Sequence, residues 1–509
     1  MNNTTTNTMV TFSNATMEAL ASKLSGFLAS TSKQEEIVPC VLTLNQSPLQ
    51  GHMINSLAVA TKGYKFQYVF FNKEGVNKSQ PTKIVLDAQK QAVALKGLSL
   101  FKSDIKLAIN EGATFLDMCS GANSAKQALP AITEMPQAYD AEKGLKVSYT
   151  AGTGLVEAWK KALSLDSPKA VSMKIETDGK LYIATTDNNR VAYIKLDEIN
   201  INQNELMLRA IREAVSKAQS QVIKTLEAKN TELDEEFKKA LGTLVSVDEG
   251  YQMLKLCIGS NPILAYMAKD GQLAEDARTF LVGSEEQKAA MNTVPAITVD
   301  MQGVVQEFFK NFECECFVAS KDLKLLCNLF ADAEKVKVSV FESCLQIAMD
   351  GVAVNVPFCS TDIPPLTALR SIVEKERNTV ALLDNVELGT ALSFLMDTSF
   401  AKKEGAVPLH MHFAGKEVRL SIPTDANSGV VTCSLVNSIP DEVDAFLNLK
   451  YLKNALGSTV KGTVCVAKSE DNTFSVSGVE NEGPDNSNAI VIMGINPKVL
   501  AEKTGADIG

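Results

Sequence analysis

The sequence has no run of apolar residues near the roughly 18 to 20 that a bilayer crossing requires. Its N-terminus, MNNTTTNTMV, has neither a basic start nor an apolar stretch, so a soluble, intracellular protein is expected. It has no excess of basic residues: 50 Lys and Arg stand against 60 Asp and Glu, a net charge of -10. A protein that coats DNA by bulk electrostatics needs a broad basic surface, so any DNA contact must come from a local one. Cys-x-x-Cys spacing is missing. The ten cysteines are scattered, with Cys257, Cys327, Cys344 and Cys465 in apolar contexts and Cys314 and Cys316 one residue apart, which fits reduced thiols packed as small hydrophobes. Only three histidines occur. His410 and His412 fall on one face of a presumed strand, but no carboxylate or cysteine is suitably spaced beside them in sequence. Gly152-Thr-Gly154 lacks the third glycine of a dinucleotide fingerprint. With no Walker loop, nucleophile elbow or paired-carboxylate constellation, neither an enzyme nor a cofactor or metal site is expected.

What the sequence does have is a repeat, and 509 residues are enough for several domains. The unit is a short strand, an amphipathic helix of about three turns and a β-meander of period two. Its clearest copy begins at Phe317. Leu323, Leu326, Cys327 and Phe330 share one helical face, and three strands follow: Val336, Val338 and Val340; Leu345, Ile347 and Met349; Val352, Val354 and Val356 after the Asp350-Gly351 turn. A second copy runs from Val147, with Leu155, Ala158, Trp159, Ala162 and Leu163 as the helix stripe. Thr379 to Val436 gives a third, with strands predicted at Leu409–Phe413, Val418–Ile422 and Val430–Val436. Phe446 to Met493 gives a fourth. Two fainter copies precede these, one marked by Leu20, Leu24, Phe27 and Leu28, the other by Ile84 to Leu95 and the strands after it. The total is six units. Between the third and fourth in chain order, the stretch 202–310 breaks the pattern and reads as a mostly helical insertion.

Six such units, with certain strings in order, resemble the bacterial sliding clamp family of DNA replication. That family carries a stretch like ATDGHRLA at the end of the first meander of its middle domain, and this chain has TTDNNRVA from Thr185 to Ala192. It enters its last domain through a stretch like FPDYRRVIPKE; here IPPLTALRSIVEKE runs from Ile363, and Pro364 matches the proline. Its FNVKYLLDAL and YVVMPM are similar to FLNLKYLKNAL (Phe446 to Leu456) and IVIMGI (Ile490 to Ile495), with Gly494 in place of proline and a further tail to Gly509. The resemblance is good from about Val147 to Ile201 and from Phe317 to Ile495, and architectural before that.

The resemblance implies an α+β DNA clamp fold with antiparallel sheets outside and helices inside. The domains would span 9–143, 144–366 with the insertion, and 367–496, followed by a tail, 497–509. It implies a ring-forming processivity factor that encircles double-stranded DNA without reading sequence and tethers the replicative polymerase, with a homodimer favoured and the clamp loader as a further partner. The faintness of the match points to a phage-encoded version working in the bacterial cytoplasm. Cations on the exposed helix sides would line the hole: Lys23, Lys90, Lys96, Lys160, Lys161, Lys321, Lys324, Lys402, Lys450 and Lys453. A pocket for short partner peptides would gather Thr186, Val191, Pro364, Leu369, Val491 and Met493. Without the resemblance these lysines are solvated helix residues, and Val191, Leu369 and Val491 are strand core. A trimeric clamp of the eukaryotic and phage type, and a clamp-like adaptor that does not encircle DNA, are the competing readings.

Overall fold

The computed structural model describes residues 8–32, 37–49, 52–71, 81–110, 112–120, 125–134, 139–165, 168–228, 301–360, 363–399, 407–424, 429–459, 462–480 and 483–504. Lys402 and most of the insertion lie outside them. The chain divides into two compact units, one formed by 1–145, 149–200 and 315–509, the other by 146–148 and 201–314.

The larger unit repeats one motif six times. It begins with β1 (Thr8–Phe12), α1 (Asn14–Thr31) and the meander β2 (Pro39–Leu49), β3 (His52–Thr61) and β4 (Tyr64–Phe71). Next come β5 (Thr82–Asp87), α2 (Ala88–Ser99), β6 (Ile105–Ile109), β7 (Phe115–Ser120) and β8 (Ala125–Pro130). The third copy is β9 (Val147–Gly152), α3 (Gly154–Ala162), β10 (Ala170–Ile175), β11 (Leu181–Thr186) and β12 (Arg190–Leu196), after which the short β13 (Ile199–Ile201) leads to α4 (Gln203–Ala228) and α5 (Met301–Asn311) of the smaller unit. The fourth is β14 (Cys314–Ala319), α6 (Ser320–Leu329), β15 (Lys335–Val340), β16 (Cys344–Met349) and β17 (Val352–Pro357), followed by α7 (Leu366–Val373). The last two share a strand: β18 (Thr379–Asp384), α8 (Asn385–Thr398), β19 (Pro408–Ser421) and β20 (Val431–Asn448), then α9 (Leu449–Thr459), β21 (Thr463–Lys468), β22 (Thr473–Glu480) and β23 (Gly483–Met493), with α10 (Pro497–Thr504) at the end.

The strands form antiparallel sheets. One runs β1-β6-β7-β8, a second β13-β9-β15-β16-β17-β4-β3-β2-β5, and a third β14-β10-β11-β12-β23-β22-β21-β18-β20-β19. Each repeat helix lays an apolar stripe on a sheet. In α6 that stripe includes Leu323, Leu326 and Leu329, and in α1 it includes Met17, Leu20, Leu24 and Phe27, all buried.

The fifth unit departs from the expected three-strand meander. Leu409–Phe413 and Val418–Ile422 are not separated by a turn; both lie in or at the end of β19, which pairs along β20 as one long hairpin. The change of phase between them, from buried Leu409, Met411 and Phe413 to buried Val418 and Leu420, comes from a bulge. Gly415 supplies the positive φ (58°) there, and the register shifts on either side of it. In sequence a bulge and a tight turn both flip the alternation and both favour glycine.

In the smaller unit, Arg209 on α4 stacks over Phe308 of α5 at 5.6 Å, pairs with Glu213 at 2.8 Å and donates to the Lys146 carbonyl. Ser148 donates to Glu205.

Candidate functional site

The peptide-pocket residues come from three stretches, and the sheet brings them to one face. β12 and β23 are neighbours, with Val191 opposite Val491 and Arg190 opposite Ile492. On this face Tyr182, Ala184, Val191, Tyr193, Ala489 and Val491 form a bed, and α7 lies on it through Leu366, Leu369 and Val373. Arg370 pins α7. Its Nε donates to the Tyr193 hydroxyl at 2.8 Å, its guanidinium pairs with Glu176 at 2.7 Å, and it stacks on Tyr182 at 4.6 Å. Partial burial opposes the Arg370 charge, but Glu176 and Tyr193 outweigh it and raise its pKa.

Val191, Leu369 and Val491 are thus brought together and are also sealed. Fully burying an aliphatic side chain is worth roughly 1.5–3 kcal/mol, so Leu366, Leu369 and Val373 together hold α7 on the bed. The residues at the rim of this bed stay accessible. Thr186 is half-buried at the hairpin end, Pro364 is exposed, and Met493 is 55% exposed. The rim turn, Asp187 to Asn189, is tightly held. The Thr186 hydroxyl donates to the Arg190 carbonyl at 2.8 Å, the Met493 N–H donates to the Asn189 carbonyl at 2.9 Å, and Asn188 takes a φ of 73°.

Arg190, part of the matched string, points to the opposite face. Only 2% exposed, it pairs with Asp187 at 2.6 Å and stacks 4.0 Å over the ring of Tyr451 on α9. Gly494, where the clamp string has proline, is required as it stands. Its N–H donates to the Asn472 carbonyl at 2.8 Å, which proline could not do, and a Cβ there would lie 2.4 Å from the Asn472 side chain.

The lysines split into two sets. Lys90, Lys96, Lys160, Lys321, Lys324 and Lys450 are exposed on α2, α3, α6 and α9, with Lys90 4.0 Å from Asp87. Lys453 is half-buried, its ammonium 3.7 Å from the Met396 sulfur. Lys161 is not available to DNA, because its position three residues beyond Ala158 turns it under the helix. There its Nζ donates to the Asn488 carbonyl at 3.1 Å and to the Asn488 side chain, and burial lowers its pKa to about 7 despite nearby Asp485. Lys23 is half-buried and likewise committed. It donates to the Leu329 carbonyl at 2.7 Å and lies 5.5 Å from the Phe330 ring centroid, with its pKa lowered by desolvation against the pull of Asp332 and Asp350.

Sequence spacing missed one cluster. His410 Nε2 and His412 Nδ1 lie 2.7 and 2.9 Å from one oxygen of Asp444, which the neighbouring strand supplies, and His410 stacks on Phe446. The carboxylate sits between the two rings and satisfies both. Among the described residues no group of three or more His, Cys, Asp or Glu could hold a metal ion, and no described helix is long and apolar enough to cross a membrane.

No protein-family model matches the sequence, and no curated protein matches it. Solved structures do match in fold. The DNA polymerase III subunit beta of Pseudomonas aeruginosa aligns with a TM-score of 0.58 at 11% identity, covering 96% of this chain and 100% of that one. The Helicobacter pylori beta clamp bound to a DNA ligase peptide gives 0.57 at 12% identity, with 96% and 100% covered. The subunit beta of Borrelia burgdorferi, in complex with a natural product, gives 0.59 at 11%, with 96% and 98% covered. The chain therefore has the DNA sliding-clamp fold, an α+β arrangement of antiparallel sheets and helices.

Proposed function

We propose that this chain is a DNA sliding clamp. It encircles duplex DNA, holds the replicative polymerase on it and catalyses nothing. The observation that carries this reading is the set of exposed lysines on α2, α3, α6 and α9, four repeat helices of a chain whose net charge is -10. A sliding ring needs weak phosphate contacts that carry no sequence information, because tight base readout would stop it. One or two exposed cations on each of these sheet-backed helices supply that.

Six units per chain fit a head-to-tail homodimer of twelve, since a heterologous interface must close by rotation or grow into a filament. The free edge of β8 would then find a partner strand. Polymerase and clamp loader would dock by short peptides on the Thr186, Pro364 and Met493 rim, as the Helicobacter clamp holds a DNA ligase peptide. A phage-encoded clamp in the bacterial cytoplasm is the setting this reading favours.

The test concentrates dilute subunits in the presence of nicked circular duplex DNA, so that rings close around it, and separates bound protein at high salt. Retention on the circle and loss on linearisation are expected, with a solution mass of two chains. Equal retention on both forms, or none on either, overturns the reading.

A further inference from the structure

The seams of β17 with β4 and of β12 with β23 are twins in register. Lys65 opposite Asn355 and Val191 opposite Val491 hold the same place, each pair joining the second residue of one strand to the third from the end of the other. Two residues on, Gln67 faces Ala353 where Tyr193 faces Ala489. At the second seam both rows belong to the bed under α7. At the first, the strap 139–143 reaches only the Lys65 row. Glu142 pairs with Lys65 at 2.8 Å and accepts from Gln346 at 3.1 Å, the Ala141 carbonyl accepts from Cys344 Sγ at 3.3 Å, and the Lys65 ammonium lies 5.6 Å from the Tyr139 ring centroid.

Beyond the strap, a cavity of about 650 Å³ opens along Gln67 and Val69 of β4, Ala353 of β17, Ala348 of β16, and Lys335 and Lys337 of β15. Both lysines are exposed, and neither forms an ion pair with a described residue. Asp350 also lines the edge, at the turn between β16 and β17, where it acts on Lys23 and Tyr68. The covered twin shows what such a face accepts. There α7, a helix of eight residues, lays Leu366, Leu369 and Val373 on the sheet, and its Arg370 meets a carboxylate outside the bed, Glu176. On the open face the sheet carries the cations, so the complementary helix carries the carboxylates.

We infer that the open end of the β17 and β4 seam docks a short amphipathic helix of a partner protein, with apolar residues on Val69, Ala348 and Ala353 and carboxylates at Lys335 and Lys337. The floor has few large side chains, so the contact is weak, charge-driven and loosened by salt. Lys335 and Lys337 alternate with buried Val336 and Val338, which face the helix layer. A partner here therefore leaves the exposed lysines of the repeat helices free for DNA.

Fluorescence anisotropy of the full chain tests it, with a labelled synthetic helical peptide that has leucines at the spacing of Leu366, Leu369 and Val373 and glutamates at the flanking positions. Saturable binding at micromolar concentrations of chain is expected. Lys335→Glu with Lys337→Glu should weaken it by at least about tenfold, and Val69→Asp by about tenfold. Lys335→Ala with Lys337→Ala, should the charge reversal fail to fold, is expected to lose about fivefold. Met493→Asp should leave the affinity unchanged, which separates this surface from the rim of the second seam. No binding by wild type, binding that survives both lysine pairs, or equal binding of a peptide with lysines in place of the glutamates overturns the docking surface. A single-stranded oligonucleotide whose own affinity falls with the Lys335 and Lys337 changes would make this a nucleic-acid surface and overturns it as well.

Discussion

Two of the seams at which repeat units pair strands, β17 with β4 and β12 with β23, are built on different plans. β17 meets β4 from Val352 opposite Tyr68 to Asn355 opposite Lys65. Its outward residues Lys65, Gln67 and Val69 stay half-exposed, so β4 alternates buried and open positions as a sheet with one wet face does. β12 meets β23 from Arg190 opposite Ile492 to Ile194 opposite Asn488, and α7 covers the outer face. β11 and β12 are therefore buried at nearly every position. A lysine stitches each seam from the helix side, Lys23 at the first and Lys161 at the second. Adding one short helix changes a two-layer junction into a three-layer one, and with it the tolerance of every outward residue.

The sharpest break of that contrast is a charge on the outer face. Val191→Asp puts a carboxylate under α7 with no described partner, and a loss of about 4 kcal/mol or more is expected. Gln67→Asp, on the bare seam, should cost within about 1 kcal/mol. Denaturant unfolding of the two variants checks it, and similar losses would mean that α7 does not seal the seam.

This difference was partly legible in the sequence. The strings Leu181-Tyr182-Ile183-Ala184 and Val191-Ala192-Tyr193-Ile194 are continuous apolar runs, the mark of a strand buried on both faces. Period-two reading sees only Ile183 and its kind. Leu366, Leu369 and Val373 have helical spacing, but matching Pro364 to a linker hides it. The six units and the grouping of Val191, Leu369 and Val491 were legible, because repeats and strand order fix them. The sealing of that group was not, nor was the fate of Lys161, since single residues at the edge of a helix stripe can turn either way. Asp444 beside the two histidines depends on the register of β19 against β20, which the bulge at Gly415 sets.

A backbone change should break the bare seam in turn. Gly351 has a φ of 80°, its carbonyl accepts from Val69 N–H at 2.7 Å, and a Cβ would lie 2.3 Å from the Val69 carbonyl oxygen. Gly351→Ala should cost about 3 kcal/mol, combining left-handed strain with a clash against backbone that cannot yield. An unfolding midpoint equal to wild type would show that the β4 and β17 pairing adjusts there.

The lysine stitches sharpen the comparison through pH. Lys161 has its pKa lowered to about 7 by burial, against an ordinary 10.5. Between these values the unfolded chain binds the proton and the folded chain releases it, so stability rises with pH across the window and levels off below about 7. From pH 7 to 9 this group should add roughly 2 kcal/mol. Lys161→Met should remove that slope. Lys23, its pKa also lowered by desolvation, should give a slope of the same sign. Chemical denaturation of wild type and both Met variants at several pH values checks this, and a wild-type slope that survives Lys161→Met assigns it to other groups.

The smallest effect on stability is expected where the proposed function is most exposed. Met493 follows the last bed residue of β23 by two positions, on the same face, but stands beyond the cover of α7 with over half its surface in water. Among the described residues its commitments are those of its backbone, the N–H to the Asn189 carbonyl and the strand pairing with Thr473. Met493→Asp should therefore change unfolding free energy by no more than about 0.5 kcal/mol, the range of surface substitutions. A few apolar anchors usually dominate such a contact, and the proposed docking makes Met493 one of them, so the same change should abolish binding of the clamp-binding peptide of the cognate polymerase, while self-association stays as in wild type. Calorimetric titration of that peptide, run beside sedimentation of the variant, reads both quantities. Unchanged peptide affinity with an intact assembly would move the docking site away from this rim, and would leave the buried bed beneath α7 as a purely structural junction.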